Sequence, residues 1–309
     1  MRKVPIREFV LTALVFAALT PPSEARDLKF GLMPAVNIAP ILAAEDSGHF
    51  RAEGVRVELV MFTNQVYRES ALQTGAIDGT VSDLINAVNA AARGFPVRAT
   101  SASEGVFGLL AAPGSPFGTV ENWKNPKGGK VRTGLLENSI VSYVTERLLE
   151  AAGVRPDVIE IVPAASLPAR LEMLVAGRLD AACLPEPMMR AAVAGGARPV
   201  LDSRALPFTP GVVLFTDKAV KTKPSAIRAF YRAYNRAVRD IREGRPGIRE
   251  LLVRKGKFPP GTENFIMPVF APARPTGREE YADVTGWMAA KGLLEDVPPY
   301  EKVVDGSLL

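Results

Sequence analysis

Hydrophobic and polar positions alternate in a regular rhythm from Asp27 onward. The apolar run "LKFGL" (28–32) predicts a strand, and "IAPILAAEDSGHF" (38–50) predicts a helix ending near Gly48. "VRVELV" (55–60) repeats with period two, placing Val55, Val57 and Leu59 on one face of a strand. A helix over 65–75, a strand over 77–81, a helix over 82–94 and a strand over 96–103 follow. Strands alternating with helices predict a parallel sheet with crossover helices.

The rhythm then restarts. "KVRTGLL" (130–136) predicts a strand and "SIVSYVTERLLEAAG" (139–153) a helix, with Ile140, Val144, Leu148 and Ala151 at helical spacing and Asn138 or Ser139 as cap. Strands are predicted over 158–162, 179–184 and 198–202, and helices over 167–178 and 187–196. The restart is a repeat. "GAIDGTVSDL" (75–84) and "GRLDAACLPE" (177–186) share Gly-x-apolar-Asp-small-small, with Asp78 and Asp180 offset by 102 positions. Gly31-Leu32 corresponds to Gly134-Leu135, Gly54-Val55-Arg56 to Gly153-Val154-Arg155, and Gly94 to Gly196. One βαβαβαβ unit is used twice.

Two Pro/Gly-rich stretches, 112–129 and 205–211, bound the second unit. "VVLFTD" (212–217) predicts one more strand, and "PSAIRAFYRAYNRAVRDIREG" (224–244) a long amphipathic helix. A helical tail needs a sheet to pack on, so the chain is expected to return to the first unit. That gives lobe 1 as 26–111 and 210–309, lobe 2 as 112–209, crossings at 112 and 210, and hinge strands near 105–112 and 207–216.

The N-terminus differs in kind. Arg2, Lys3 and Arg7 precede the apolar run Phe9–Thr20, and Ser23 and Ala25 are small residues two apart. This is the layout of a secretory signal peptide over 1–25, cleaved after Ala25, with an apolar run too short to span a bilayer. The chain of 309 residues is 47% hydrophobic with a formal charge of +5, which makes no case for nucleic acid. The single cysteine, Cys183, forms no internal disulfide, and one Cys with one His (His49) is too few for a zinc site. Cys183, inside an apolar strand, reads as a small buried residue, and His49 as a turn residue. The arginines Arg228, Arg232, Arg236, Arg239 and Arg242 form a basic stripe on the long helix, a solvated face or a docking surface.

Several phrases carry a resemblance: "PILAAEDSGHFRAEGVRVELV" (40–60), "LQTGAIDGTVSDL" (72–84), "VENWKNPKGGKVRTG" (120–134) and "GRLDAACLPEP" (177–187). In this order and behind an export signal, they resemble the periplasmic substrate-binding proteins of ABC importers. The similar group binds nitrate, taurine, alkanesulfonates or the thiamine pyrimidine precursor. The resemblance implies an α/β, two-lobed periplasmic-binding-protein fold (type II-like), each lobe a mostly parallel sheet flanked by helices. It implies a monomer that closes on a small-molecule ligand in the periplasm and hands it to an ABC permease in the inner membrane, with no catalytic residue and no cofactor. Enzymes of pyrimidine or menaquinone biosynthesis share the fold and form the alternative. The pyrimidine enzyme would call for a cysteine-rich motif and a catalytic histidine. A ligand-sensing module serving a separate receptor is the third reading.

Ligands of open α/β sheets sit beyond the carboxyl ends of the strands. That places Asn37, Asn64, Ser82, Asp83, Ser103, Glu104, Glu137, Asn138, Ser139 and Glu186 at the cleft. The repeated Asp78 and Asp180 read as structural. Helices starting at Ser82 and Ser139 would aim free N–H groups into the cleft. Asp83, Glu104, Glu137 and Glu186 at these loops, with no Arg or Lys, predict an aminopyrimidine-like or amine-bearing ligand rather than nitrate or a sulfonate. A flat ring would stack on Phe62, Tyr67, Phe107, Tyr143 or Phe208.

Overall fold

A computed structural model of the chain describes residues 27–127 and 129–309, and its interior strands form where the sequence is apolar or small on both faces. The predicted signal segment 1–25 lies outside the described residues. The strands are β1 (Asp27–Leu32), β2 (Arg56–Met61), β3 (Gly79–Asp83), β4 (Val97–Ala102), β5 (Phe107–Ala111), β6 (Val131–Leu135), β7 (Ile159–Pro163), β8 (Ala181–Pro185), β9 (Arg198–Asp202) and β10 (Gly211–Thr216). They make two five-stranded sheets, ordered β2-β1-β3-β10-β4 and β7-β6-β8-β5-β9. In both, β3 and β8 hold the same interior place and are buried along their whole length, as expected of a sheet covered on both faces.

Each sheet is parallel except for one strand. β10 runs antiparallel between β3 and β4, and β5 antiparallel between β8 and β9. Each odd strand has just crossed from the other sheet, so the chain passes between sheets over 103–106 and 203–210. This corrects the expected crossing at 112. "FGLLA" follows β4 after only four residues, 103–106, and reads as the end of the first unit, yet Phe107–Ala111 bonds to Pro185–Ala181 in the second sheet. The Pro/Gly stretch that follows lies within the second lobe and holds a short helix, Val120–Lys124, whose Trp123 is buried.

The first sheet is covered on one side by helices Ala39–Asp46 and Pro224–Arg242. Phe30 stacks on Phe230 at 5.0 Å between ring centroids, and Phe50 stacks on the other flank of Phe230 at 5.3 Å. The tail therefore packs on the first sheet through the stripe its period predicts. The basic stripe is partly paired: Arg232 and Arg236 both bond to Glu53. His49 Nε2 lies 2.7 Å from Asp240 Oδ2, tying the short helix His49–Ala52 to the long one.

Helix Arg278–Ala290 packs on helix Leu84–Ala92 of the first lobe and also reaches helix Ile140–Ala151 of the second. Trp287 Nε1 donates to Glu146 Oε2 at 2.9 Å, and the Trp287 and Tyr143 rings meet edge-on at 5.5 Å. No described helix is long and apolar enough to cross a membrane.

Candidate functional site

The two repeated aspartates fasten the sheet ends opposite the cleft. Lys29 N–H donates to Asp78 Oδ2 at 2.8 Å, and Arg132 N–H donates to Asp180 Oδ2 at 2.9 Å. Each pins the start of one parallel strand to its neighbour, so β3 and β8 begin one residue beyond the aspartate. Their carboxyl ends then emerge at facing walls of one cleft. The same 102-residue offset relates residues across it. Asn64 and Ser166 pair in an isolated antiparallel bridge that joins the lobes at the mouth. Arg68 and Arg170, equally offset, are both buried, and their guanidinium groups donate to Val81 O at 2.9 Å and Cys183 O at 3.1 Å. The cleft is thus built from two copies of one wall.

About 630 Å³ of free space lies between the walls, solvent at the mouth included. From the first lobe it is lined by Asn37, Gln65, Arg68, Ser82 and Asp83, among others, and from the second by Phe107, Ile140, Val141, Leu167 and Arg170. Asn37, Ser82 and Asp83 therefore lie on the wall. Asn64 sits at the mouth as the cap of helix Gln65–Gln73, accepting from Val66 N at 2.8 Å. Ser139 is buried at the start of helix Ile140–Ala151, but its hydroxyl donates to Leu136 O and leaves the helix without a side-chain cap.

The other candidates fall elsewhere. Glu137 and Asn138 are exposed at a turn where Asn138 takes φ 55°, which directs that loop outward. Ser103 and Glu104 belong to the crossover and line a separate cavity with Arg274. Glu186 is buried, and its carboxylate is already used: Arg190 N donates to it at 3.1 Å and Ile266 N at 3.0 Å, while its backbone oxygen accepts from Val36 N. It joins the lobes rather than facing the cleft. Of the five aromatic candidates, Phe107 alone is among the cleft-lining residues, and Tyr67 is 70% exposed.

Charge inside the cleft differs from the expectation of carboxylates without cations. Arg68 is paired with Glu69, and Ser82 Oγ donates to the same Glu69 oxygen at 3.0 Å. Asp83 caps helix Leu84–Ala92, accepting from Asn86 N at 2.9 Å and from Asn86 Nδ2 at 2.8 Å. Burial pushes its carboxyl up to about 6, against the Asn86 bonds and the Arg68 charge, which pull it down. Arg170 has no carboxylate within ion-pair distance among the described residues, and its bonds go to Ala164 O and Cys183 O. Burial draws its guanidinium down to about 10, which leaves it charged at neutral pH.

Loop-by-loop inspection misses both arginines because they sit on helices. The repeat contains the signal nonetheless: each lies seven residues before the glycine of its phrase, Gly75 and Gly177.

Two sheets with one returning strand each, a cleft between them and a tail packed on the first lobe define the periplasmic-binding-protein fold. The chain belongs to the NMT1/THI5-like family, whose model matches residues 35–244. Among solved structures it is similar to a ligand-binding component of an ABC-type import system from Staphylococcus aureus, with TM-score 0.73, 16% identity and coverage of 91% of this chain and 97% of that one. It is also similar to the alkanesulfonate-binding protein SsuA from Xanthomonas axonopodis pv. citri, at TM-score 0.73, 20% identity, 92% of this chain and 100% of that one. Among curated proteins it is 24% identical over 215 residues to a 4-amino-5-hydroxymethyl-2-methylpyrimidine phosphate synthase of Saccharomyces cerevisiae, covering 64% of this chain. The match spans 61% of the length of that relative.

Proposed function

We propose that this protein is the periplasmic solute-binding component of an ABC importer: it captures one small molecule between its lobes and delivers it to a membrane permease. The observation that carries this reading is a single cleft bordered by two walls that each carry a buried charged side chain, Asp83 on one and Arg170 on the other. A solute that contacts both walls stabilises the closed arrangement over the open one, and the crossovers at 103–106 and 203–210 supply the hinge. Asp83 offers an acceptor to an amine or aminopyrimidine-like group, with Phe107 as a ring surface. The exclusion of sulfonate-like solutes loses its basis once Arg68 and Arg170 are counted in the cleft.

The curated relative favours the enzyme alternative, and the chemistry of the chain weighs against it. The Cys183 thiol is buried in β8 and pushed up to about 11 by desolvation, so it is neither ionised nor accessible. His49 is engaged with Asp240. Native mass spectrometry of protein isolated gently from the periplasm tests the reading. A co-purified small molecule whose mass stays constant on incubation supports capture. A bound species that converts to another mass supports the enzyme.

A further inference from the structure

The two walls descend from one unit, yet their charge is not the same. In the first, Arg68 is followed by Glu69, and the strand ends in Ser82 and Asp83. In the second, the residues at the same offset are Arg170, Leu171, Leu184 and Pro185. The first arginine is therefore neutralised within its own wall, whereas the second keeps its charge. Arg170 is 2% exposed and lines the cleft. A guanidinium carries five N–H donors, and those of Arg170 are engaged through Nε and one each of the terminal nitrogens, with carbonyl oxygens alone. One N–H on each terminal nitrogen is left over. Beside it, helix Ile140–Ala151 begins at the cleft with no side-chain cap, and Ile140 and Val141 line the space. A buried cation without a counter-ion is costly, and so are unmet helix amides.

Resting on the solute-capture reading, we infer that the second lobe is the receptor for an anionic group of the ligand, with Arg170 as the residue that selects it. The bound solute is then dipolar: its anionic end meets Arg170 and the amides of the second lobe, and its donor end meets Asp83 in the first. Leu171 is what keeps the second wall cationic, because a carboxylate there would repeat the Arg68–Glu69 pairing.

The test uses three probes of one size and different charge, butanoate, butanamide and 1-aminobutane, each titrated at millimolar concentration with thermal unfolding as readout. Butanoate is expected to raise Tm more than the other two. Arg170→Met is expected to weaken butanoate about 10-fold or more, in the range for a hydrogen-bonded charge. Because Arg170 also holds the 164–183 region together, two further variants keep the test independent of its folding. Leu171→Glu neutralises Arg170 in place and is expected to weaken butanoate several-fold. Glu69→Gln releases the Arg68 charge and is expected to strengthen it. Butanamide or 1-aminobutane acting as well as butanoate, no response to any probe, or indifference to both Leu171→Glu and Glu69→Gln overturns the assignment. None of these results bears on the co-purified mass, so failure here is distinguishable from failure of solute capture.

Discussion

Asp83 is a buried carboxylate that the fold keeps ionised at a cost, and replacing it should make the protein more stable. Its carboxyl sits at about 6 against an ordinary 3.8 because burial strips its water. Well below 3.8 it is protonated in both folded and unfolded chains and contributes nothing. As pH rises toward 6 the unfolded chain loses the proton and the folded chain holds it, so stability falls; above 6 the loss is complete. At ~1.4 kcal/mol per pH unit, the gap is worth about 3 kcal/mol. Asp83→Asn removes the charge and retains an oxygen to accept from Asn86 N, so the helix cap survives. The second bond, from Asn86 Nδ2, is lost or reoriented and returns about 1 kcal/mol. The net gain is about 1–3 kcal/mol at pH 7.5, or roughly 2–8 °C in Tm. At pH 4 most of the penalty is absent from the parent, so the variant's advantage should vanish and the two should melt within about 2 °C of each other. Scanning calorimetry from pH 4 to 8 reads both. A variant that is less stable than the parent at pH 7.5, or equally shifted at both ends, would refute the account of Asp83 as a buried charge that its hydrogen bonds and Arg68 compensate only in part. A gain in stability together with loss of the co-purified solute would mark Asp83 as a group retained for binding.

Three further expectations follow from the two walls. Asp180→Ala removes the acceptor for Arg132 N and should cost about 1–2 kcal/mol in chemical denaturation while leaving solute affinity unchanged, because the site lies at the far end of the strand. Gly134→Ala would place a Cβ 2.5 Å from Leu179 Cδ1 and 3.4 Å from Arg170 Cγ. It should cost about 1–3 kcal/mol by overpacking and also weaken solute binding, read by a melt with and without the co-purified solute. Cys183 should stay unreactive toward a thiol reagent in the folded protein at pH 8 and react only in denaturant, since its thiol is buried and pushed up to about 11.

The fold was legible because the hydrophobic period changes from two to helical and back in the same order twice. The doubled phrase around Asp78 and Asp180 also located both cleft walls. What periodicity does not reveal is which sheet a strand joins. β5 follows β4 after the four residues Ser103–Val106, which would serve equally for a turn within one sheet, and only the pairing of Phe107–Ala111 with β8 and β9 assigns it to the second lobe. Side-chain direction was the second gap. Glu104, Glu137 and Glu186 all follow strands, yet one sits in the crossover, one on an outward turn, and one is spent on backbone amides of two segments. Arg68 and Arg170 lie on helices, where a charged residue ordinarily means a solvated face. Their burial follows from carbonyl oxygens that the facing strand supplies, Val81 O and Cys183 O, and such partners are invisible in a residue string.

The central claim is that two lobes close on a solute at the cleft mouth. Tyr67 and Ala169, exposed and separated by the same offset of 102, flank the Asn64–Ser166 bridge there. Spin labels on Tyr67→Cys and Ala169→Cys, with Cys183 buried and silent, report the gap by pulsed electron resonance. On adding the solute recovered with the protein, the distance distribution should narrow to the short separation of the closed form and broaden again when the solute is dialysed away. One unchanged distance, with solute demonstrably bound, would contradict closure as the means of capture.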